Sequence, residues 1–153
     1  MKLNGDQVDV FADSQALTVA AAQRFVLLAT SAVRDHGTFA VALSGGSTPK
    51  ALYQFMVSDK AIRSKIPWSK IHFFFGDERH VPPDHADSNF RMANEAMFQA
   101  LPAEELHIHR VRAELASASK AAARPLNTLS ASKARSVSCA AMRLDFSSPT
   151  IEG

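Results

Sequence analysis

The sequence predicts an α/β fold, a mostly parallel sheet with helices on both faces, and three observations carry that expectation. Phe39-Ala40-Val41-Ala42-Leu43 is a continuous apolar run with the character of a strand buried on both faces of a parallel sheet. Ahead of it, apolar residues recur at three- and four-residue intervals over a long stretch, which is helical spacing. Strand and helix patterns then alternate, so right-handed β-α-β crossovers follow.

Gln7 to Phe11 alternates polar and apolar residues and reads as a strand, after which Ala12-Asp13-Ser14 offers a turn and a helix N-cap. From Gln15 to about Asp35 the face formed by Ala21, Ala22, Phe25, Val26, Leu28, Ala29, Ala32 and Val33 needs a large flat partner. Gly37 closes that helix. Beyond the Phe39–Leu43 strand, Leu52, Tyr53, Phe55 and Met56 mark a short helix, with Pro49 where a first turn tolerates proline. Ile71–Phe75 is the next strand, Ser88 a cap for a helix from Asn89 to about Phe98, and Leu106–Val111 a further strand. Glu114–Ala123 has helical composition up to Pro125; the remainder is rich in Ala and Ser without steady periodicity, with a short strand near Met142–Phe146 as an option.

At 153 residues one domain is expected, and 46% hydrophobic with 21% charged residues excludes wholesale disorder. The net charge of +2 comes from scattered basic residues, which argues against a nucleic-acid footprint. Cys139 is the single cysteine, so no intrachain disulfide can form and a reducing compartment is the expectation. The first residues lack a signal-peptide core and no segment reads as the roughly 20 apolar residues of a membrane span. A cytoplasmic protein without membrane partners follows.

Two loops carry the candidate chemistry. Ser44-Gly45-Gly46-Ser47-Thr48-Pro49 joins a strand to a helix start, where glycines admit a close ligand and backbone N–H groups and hydroxyls offer donors to an anion. A tight turn needing glycine for its dihedrals is the plainer account of the same letters, and the GK[ST] ending of a P-loop is missing. Gly76-Asp77-Glu78-Arg79-His80 follows the Ile71–Phe75 strand, so both loops emerge at the carboxyl rim where open α/β sheets bind ligands. Neighbouring Asp77, Glu78 and Arg79 cannot all point one way; one carboxylate faces the cleft while the other pairs with structure. Asp77 suits proton handling or the orientation of a hydroxyl, and Arg79 suits a phosphate or an oxyanion. His80, Asp84, His85 and Asp87 lie close in sequence, but two histidines five apart across Pro82-Pro83 match no ligand spacing, so no metal is expected. His107 and His109 share a strand face as packed histidines, and Phe73, Phe74 and Phe75 read as core.

Three segments, in order, resemble the 6-phosphogluconolactonase family: Ala42 to Pro49, Trp68 to Pro82 with its Gly76-Asp77-Glu78-Arg79, and His85-Ala86-Asp87-Ser88-Asn89-Phe90-Arg91-Met92, followed by Ile108-His109-Arg110. Glucosamine-6-phosphate deaminases share the glycine loop, but a tyrosine is expected in them where this chain has Arg79, so the lactonase resemblance is the stronger. The resemblance implies a Rossmann-like sheet and hydrolysis of 6-phosphoglucono-δ-lactone to 6-phosphogluconate in the pentose phosphate pathway, without metal or organic cofactor. It implies catalytic roles for Asp77 and Arg79, and a substrate and phosphate pocket of Ser44, Gly45, Gly46, Ser47 and Thr48, with Asn89 and Arg91 beside it. The family's Gly-x-Gly-x-Asp-Gly-His segment, whose histidine activates water, has no counterpart here; Asp35-His36-Gly37 has similar letters in the wrong order at a helix end. The expectation is therefore residues 1–112 as the N-terminal portion of the family domain, with the C-terminal part of its fold absent, and 113–153 as a divergent, weakly structured tail. A sheet cut short would invite self-association through its edge. A sugar-phosphate-binding fragment without turnover and a deaminase-like enzyme are the alternatives.

Overall fold

The computed structural model describes residues 2–3, 6–7 and 9–115. The Glu114–Ala123 helix from residue 116 onward, the Met142–Phe146 strand and Cys139 lie outside the described residues. Two short strands, β1 (Lys2–Leu3) and β2 (Asp6–Gln7), pair antiparallel. The strand expected over Gln7–Phe11 keeps only Gln7 among its described residues, and Asp9–Phe11 have no regular structure. Val10 and Phe11 are 83% and 38% exposed, so their alternation meets no sheet to bury it.

Helix α1 (Ser14–His36) starts where Asp13 accepts the Ala16 N–H at 2.7 Å and ends at Gly37, whose φ of 80° is the left-handed stop glycine takes without strain. Its length and a mean hydropathy of 1.5 would suffice to cross a membrane, contrary to the sequence reading. Leucines, valines and alanines together produce that value. The apolar stripe of the helix is committed: Ala21, Ala22, Phe25, Val26, Ala29 and Ala32 are buried in the core cluster. That is how an amphipathic core helix uses its apolar face. Helix α1 packs chiefly on helix α2 (Ser47–Ser58) and reaches strand β3 (Phe39–Leu43) through an edge-to-face contact of Phe25 with Phe39 at 5.7 Å.

Strand β3, β4 (Ile71–Phe75) and β5 (His107–His109) form a parallel sheet in the order β3-β4-β5. The register pairs Phe39 with Ile71, Leu43 with Phe75 and Phe74 with His109. Helix α2 and the short α3 (Lys60–Arg63) cross from β3 to β4, and α4 (Asn89–Ala96) crosses from β4 to β5. Phe39, Val41, Leu43, Ile71, Phe73 and Phe75 join the buried side chains of α1, α2 and α4 in one cluster. Met97 leaves helical geometry at φ −141° and ends α4 two residues before the expected Phe98. Strand β5 is shorter than Leu106–Val111 because ladder pairing stops at His109 and the Arg110 side chain turns to Glu114.

The other sheet face carries Ala40, Ala42, His72, Phe74, His107 and His109, so Phe74 is not core as Phe73 and Phe75 are, and Ala42 is exposed. There the rings stack: His72 on His107 at 4.7 Å and Phe74 on His109 at 4.5 Å. His72 Nδ1 and His109 Nε2 are 3.0 Å apart, a hydrogen bond that needs one ring to donate and the other to accept. Burial, and secondarily the charge of His107, holds His109 below its ordinary value. A histidine depressed in the folded state contributes stability present above the unfolded value of about 6.5 and lost as pH falls through the folded value. The urea midpoint should therefore fall between about pH 7 and about pH 5, and His109→Leu should flatten that dependence. An unchanged slope in the variant would remove His109 as its source.

Candidate functional site

Parallel pairing puts the ends of β3 and β4 side by side, and the ladder continues one step past them, the Gly76 N–H donating to the Leu43 carbonyl at 3.0 Å. Ser44–Thr48 and Gly76–Arg79 therefore leave the sheet on one rim. The first loop is braced from below. Tyr53, on α2 and 3% exposed, accepts the Ser44 N–H at 3.0 Å and donates its hydroxyl to the Ser44 carbonyl at 2.9 Å. Burial pushes the phenol up to about 12, with the charge of Asp77 adding to the effect, so it stays a neutral donor. Gly46 stands at φ 107° and ψ 169°, a region open in practice to glycine alone, and serves as the N-cap of α2 without a side-chain cap. The Ser47 and Thr48 N–H groups in the first turn, and both hydroxyls, have no partner among the described residues.

The neighbouring helix start is treated oppositely. The Glu78 carboxylate accepts the N–H groups of Asn89 at 2.7 Å and Phe90 at 2.9 Å, the Ser88 hydroxyl at 3.2 Å and the Arg79 N–H at 2.8 Å. Ser88 accepts the Arg91 N–H at 3.2 Å. The first turn of α4 is thereby closed by an internal anion at its positive end. Of the two carboxylates in the loop, Glu78 is the one tied into structure and Asp77 the one left at the rim.

Asn89 joins the loops. It is 7% exposed, and its Nδ2 donates to both the Asp77 carbonyl and Asp77 Oδ2 at 3.1 Å. On its other side lies Gly45: a Cβ there would sit 2.6 Å from Asn89 Cγ and overlap Oδ1. Gly45 does not have a positive φ, so it is glycine here to make room for Asn89 rather than for its dihedrals. Asp77 and Arg79 are exposed, and the Arg79 guanidinium has no ion pair among the described residues. Arg91 is placed differently. Its guanidinium donates to Glu95 at 2.7 Å and to the Asp84 carbonyl at 3.0 Å, pinning the 80–88 loop. Tyr53 went unremarked as a site residue in the sequence because it stands on the apolar face of α2; for Glu78 the sequence offered a carboxylate that pairs with structure but not its partners, which lie up to twelve residues away with no periodic signal.

An open parallel sheet with a glycine-capped helix start and an acidic-basic loop side by side on its carboxyl rim defines an α/β protein with its polar loops where open sheets of this class carry their ligand sites. The family model described as glucosamine-6-phosphate isomerases/6-phosphogluconolactonase matches residues 12–145, and the chain belongs to that family. It is 43% identical over 102 residues to the 6-phosphogluconolactonase of Nostoc sp., and 43% over 103 residues to that of Synechocystis sp.. Those matches cover 65% and 67% of this chain but 40% and 41% of the relatives, so the chain spans about two-fifths of their length. Among solved structures, a Trypanosoma brucei 6-phosphogluconolactonase is similar with a TM-score of 0.59 and 30% identity, over 72% of this chain and 41% of that one. A Shewanella baltica 6-phosphogluconolactonase gives 0.67 and 27% over 79% and 49%.

Gly45→Ala should cost about 1–3 kcal/mol in urea unfolding, as overpacking does. Adding Asn89→Ala to it should recover part of that loss, with a coupling of about 1 kcal/mol in the double-mutant cycle. Strict additivity would show that the contact does not shape the loop.

Proposed function

We propose that the rim binds a phosphorylated six-carbon sugar ring and that the protein hydrolyses 6-phosphoglucono-δ-lactone to 6-phosphogluconate, the lactone step of the pentose phosphate pathway, in the cytoplasm. The supporting observation is the bridge from Asp77 through Asn89 to Gly45, which fixes the anion-ready loop and the acidic-basic loop as one unit. Family membership and the relatives' names point the same way. In this reading the Ser47 and Thr48 N–H groups and hydroxyls take the phosphate, with Ser44, Gly45 and Gly46 forming the wall behind it. Arg79 meets the phosphate or the developing oxyanion, Asp77 orients a sugar hydroxyl or handles a proton, Asn89 aims Asp77, and Arg91 keeps the loop in place. Strands β3 and β5 are the two edges of the described sheet, through which copies of the chain would associate.

Binding without turnover is the second reading, and it is favoured by the sequence, which contains no Asp-Gly-His segment. Two measurements separate them. Calorimetric titration with 6-phosphogluconate should show binding that Thr48→Val and Arg79→Gln each weaken about tenfold. Lactone consumption above the spontaneous rate then marks the enzyme, and its absence in a binding-competent sample marks the second reading. Absence of any binding, or ammonia release from glucosamine 6-phosphate, would overturn the proposal.

A further inference from the structure

Arg110 leaves the end of β5 on the same rim as the two loops. Its guanidinium meets Glu114 as a two-pronged fork, Nη1 to Oε2 at 3.0 Å and Nη2 to Oε1 at 2.6 Å, and lies 5.8 Å from the centre of the Phe90 ring. Phe90 gives its N–H to Glu78, so Arg110 borders the clasp that holds the Asp77 loop. Glu114 sits in a turn four residues beyond Arg110, and the two side chains remain 29% and 31% exposed. A guanidinium fork fits the two oxygens of a carboxylate, and a pair partly open to solvent can exchange one carboxylate for another. The pair is a carboxylate socket filled by the chain's own residue.

We propose that Arg110 is a carboxylate-binding residue of the rim, which Glu114 occupies until the carboxylate of an aldonic acid phosphate displaces it. The inference rests on the sugar-phosphate reading above. Strands β3 and β5 flank β4, so their ends lie two strand spacings apart, about 9.5 Å. An extended six-carbon acid with a terminal phosphate spans about 9 Å, from carbon–carbon bonds of about 1.5 Å. In this reading a phosphate at Ser47 and Thr48 directs the far carboxylate across the end of β4 toward Arg110. The closed lactone has no charge at that carbon. Ring opening by water creates the carboxylate and releases a proton, so Arg110 recognises product rather than substrate, and Glu114 limits how tightly product is retained.

The test compares 6-phosphogluconate with glucose 6-phosphate, which shares the phosphate and lacks the carboxylate, by calorimetry on the full chain. Arg110→Gln should weaken 6-phosphogluconate about fivefold and leave glucose 6-phosphate unchanged, while Glu114→Gln should tighten 6-phosphogluconate about threefold. Arg110→Lys, which keeps the charge and loses the fork, should fall between wild type and Arg110→Gln. Equal effects on both ligands, or none on either, overturn the assignment of Arg110 while leaving the sugar-phosphate reading intact. A wild-type chain that binds neither ligand overturns both.

Discussion

Four donors converge on the Glu78 carboxylate: the N–H groups of Arg79, Asn89 and Phe90 and the hydroxyl of Ser88. One side chain thereby fastens the loop after β4 to the start of α4, ten residues further on. Charge-assisted bonds of this kind are individually the stronger ones, and the carboxylate also meets the positive end of the α4 dipole. Because Glu78 fixes where α4 begins, it fixes where Asn89 stands. Asn89 then decides how near the Gly45 loop can come, which is why that position tolerates no Cβ. The geometry of the rim descends from this clasp, residue by residue.

The same clasp distinguishes two helix starts that would otherwise compete for an anion. Helix α4 has its first-turn donors answered from within by Glu78 and Ser88. Helix α2 has a glycine cap with no side-chain acceptor, and Pro49 removes one donor in the first turn without loss. A ligand anion arriving at the rim therefore meets free N–H groups at α2 alone of these two. Tyr53 adds rigidity at small electrostatic cost, since a phenol held neutral can both give and receive at the Ser44 peptide. Preorganised donors need no rearrangement when charge arrives, and this is the condition under which they bind most effectively.

How far the sequence foretold this depends on the range of the interactions. Helix α1, its cap at Asp13 and its stop at Gly37, the β3 and β4 strands, and the Ser88 cap were all legible, because each rests on spacing or dihedral preference within a few residues. Asp9–Phe11 misled, since alternation reports strand propensity and not whether a neighbouring strand exists to pair with. The membrane-length apolar content of α1 was underestimated because polar residues interrupt its apolar run while the mean over the helix stays high. At the site, the glycine loop and the acidic-basic loop were legible as letters, and the parallel register brings them to one rim. The contacts that seat them were not. How Asp77 is held, and why Gly45 must be glycine, depend on a side chain from α4 that lies more than ten residues away from the first and over forty from the second.

Strand β5 links the stability of the fold to the chemistry of its rim. It is three residues long, and its hold on β4 consists of a short parallel ladder reinforced on one face by stacked imidazoles and the His72–His109 bond. Arg110 follows directly, so its reach toward the rim is set by how firmly His109 is seated. That bond requires at least one of the two rings to be neutral, because two imidazolium rings have donors only. Protonation of both rings would replace that attraction by repulsion between cations at the root of the Arg110–Glu114 fork. Glu114 itself, held down at about 2 chiefly by its bond to Arg110, stays charged throughout the range in which histidines titrate. Acid therefore acts on the seat of Arg110 before it acts on the Glu114 carboxylate that closes the fork.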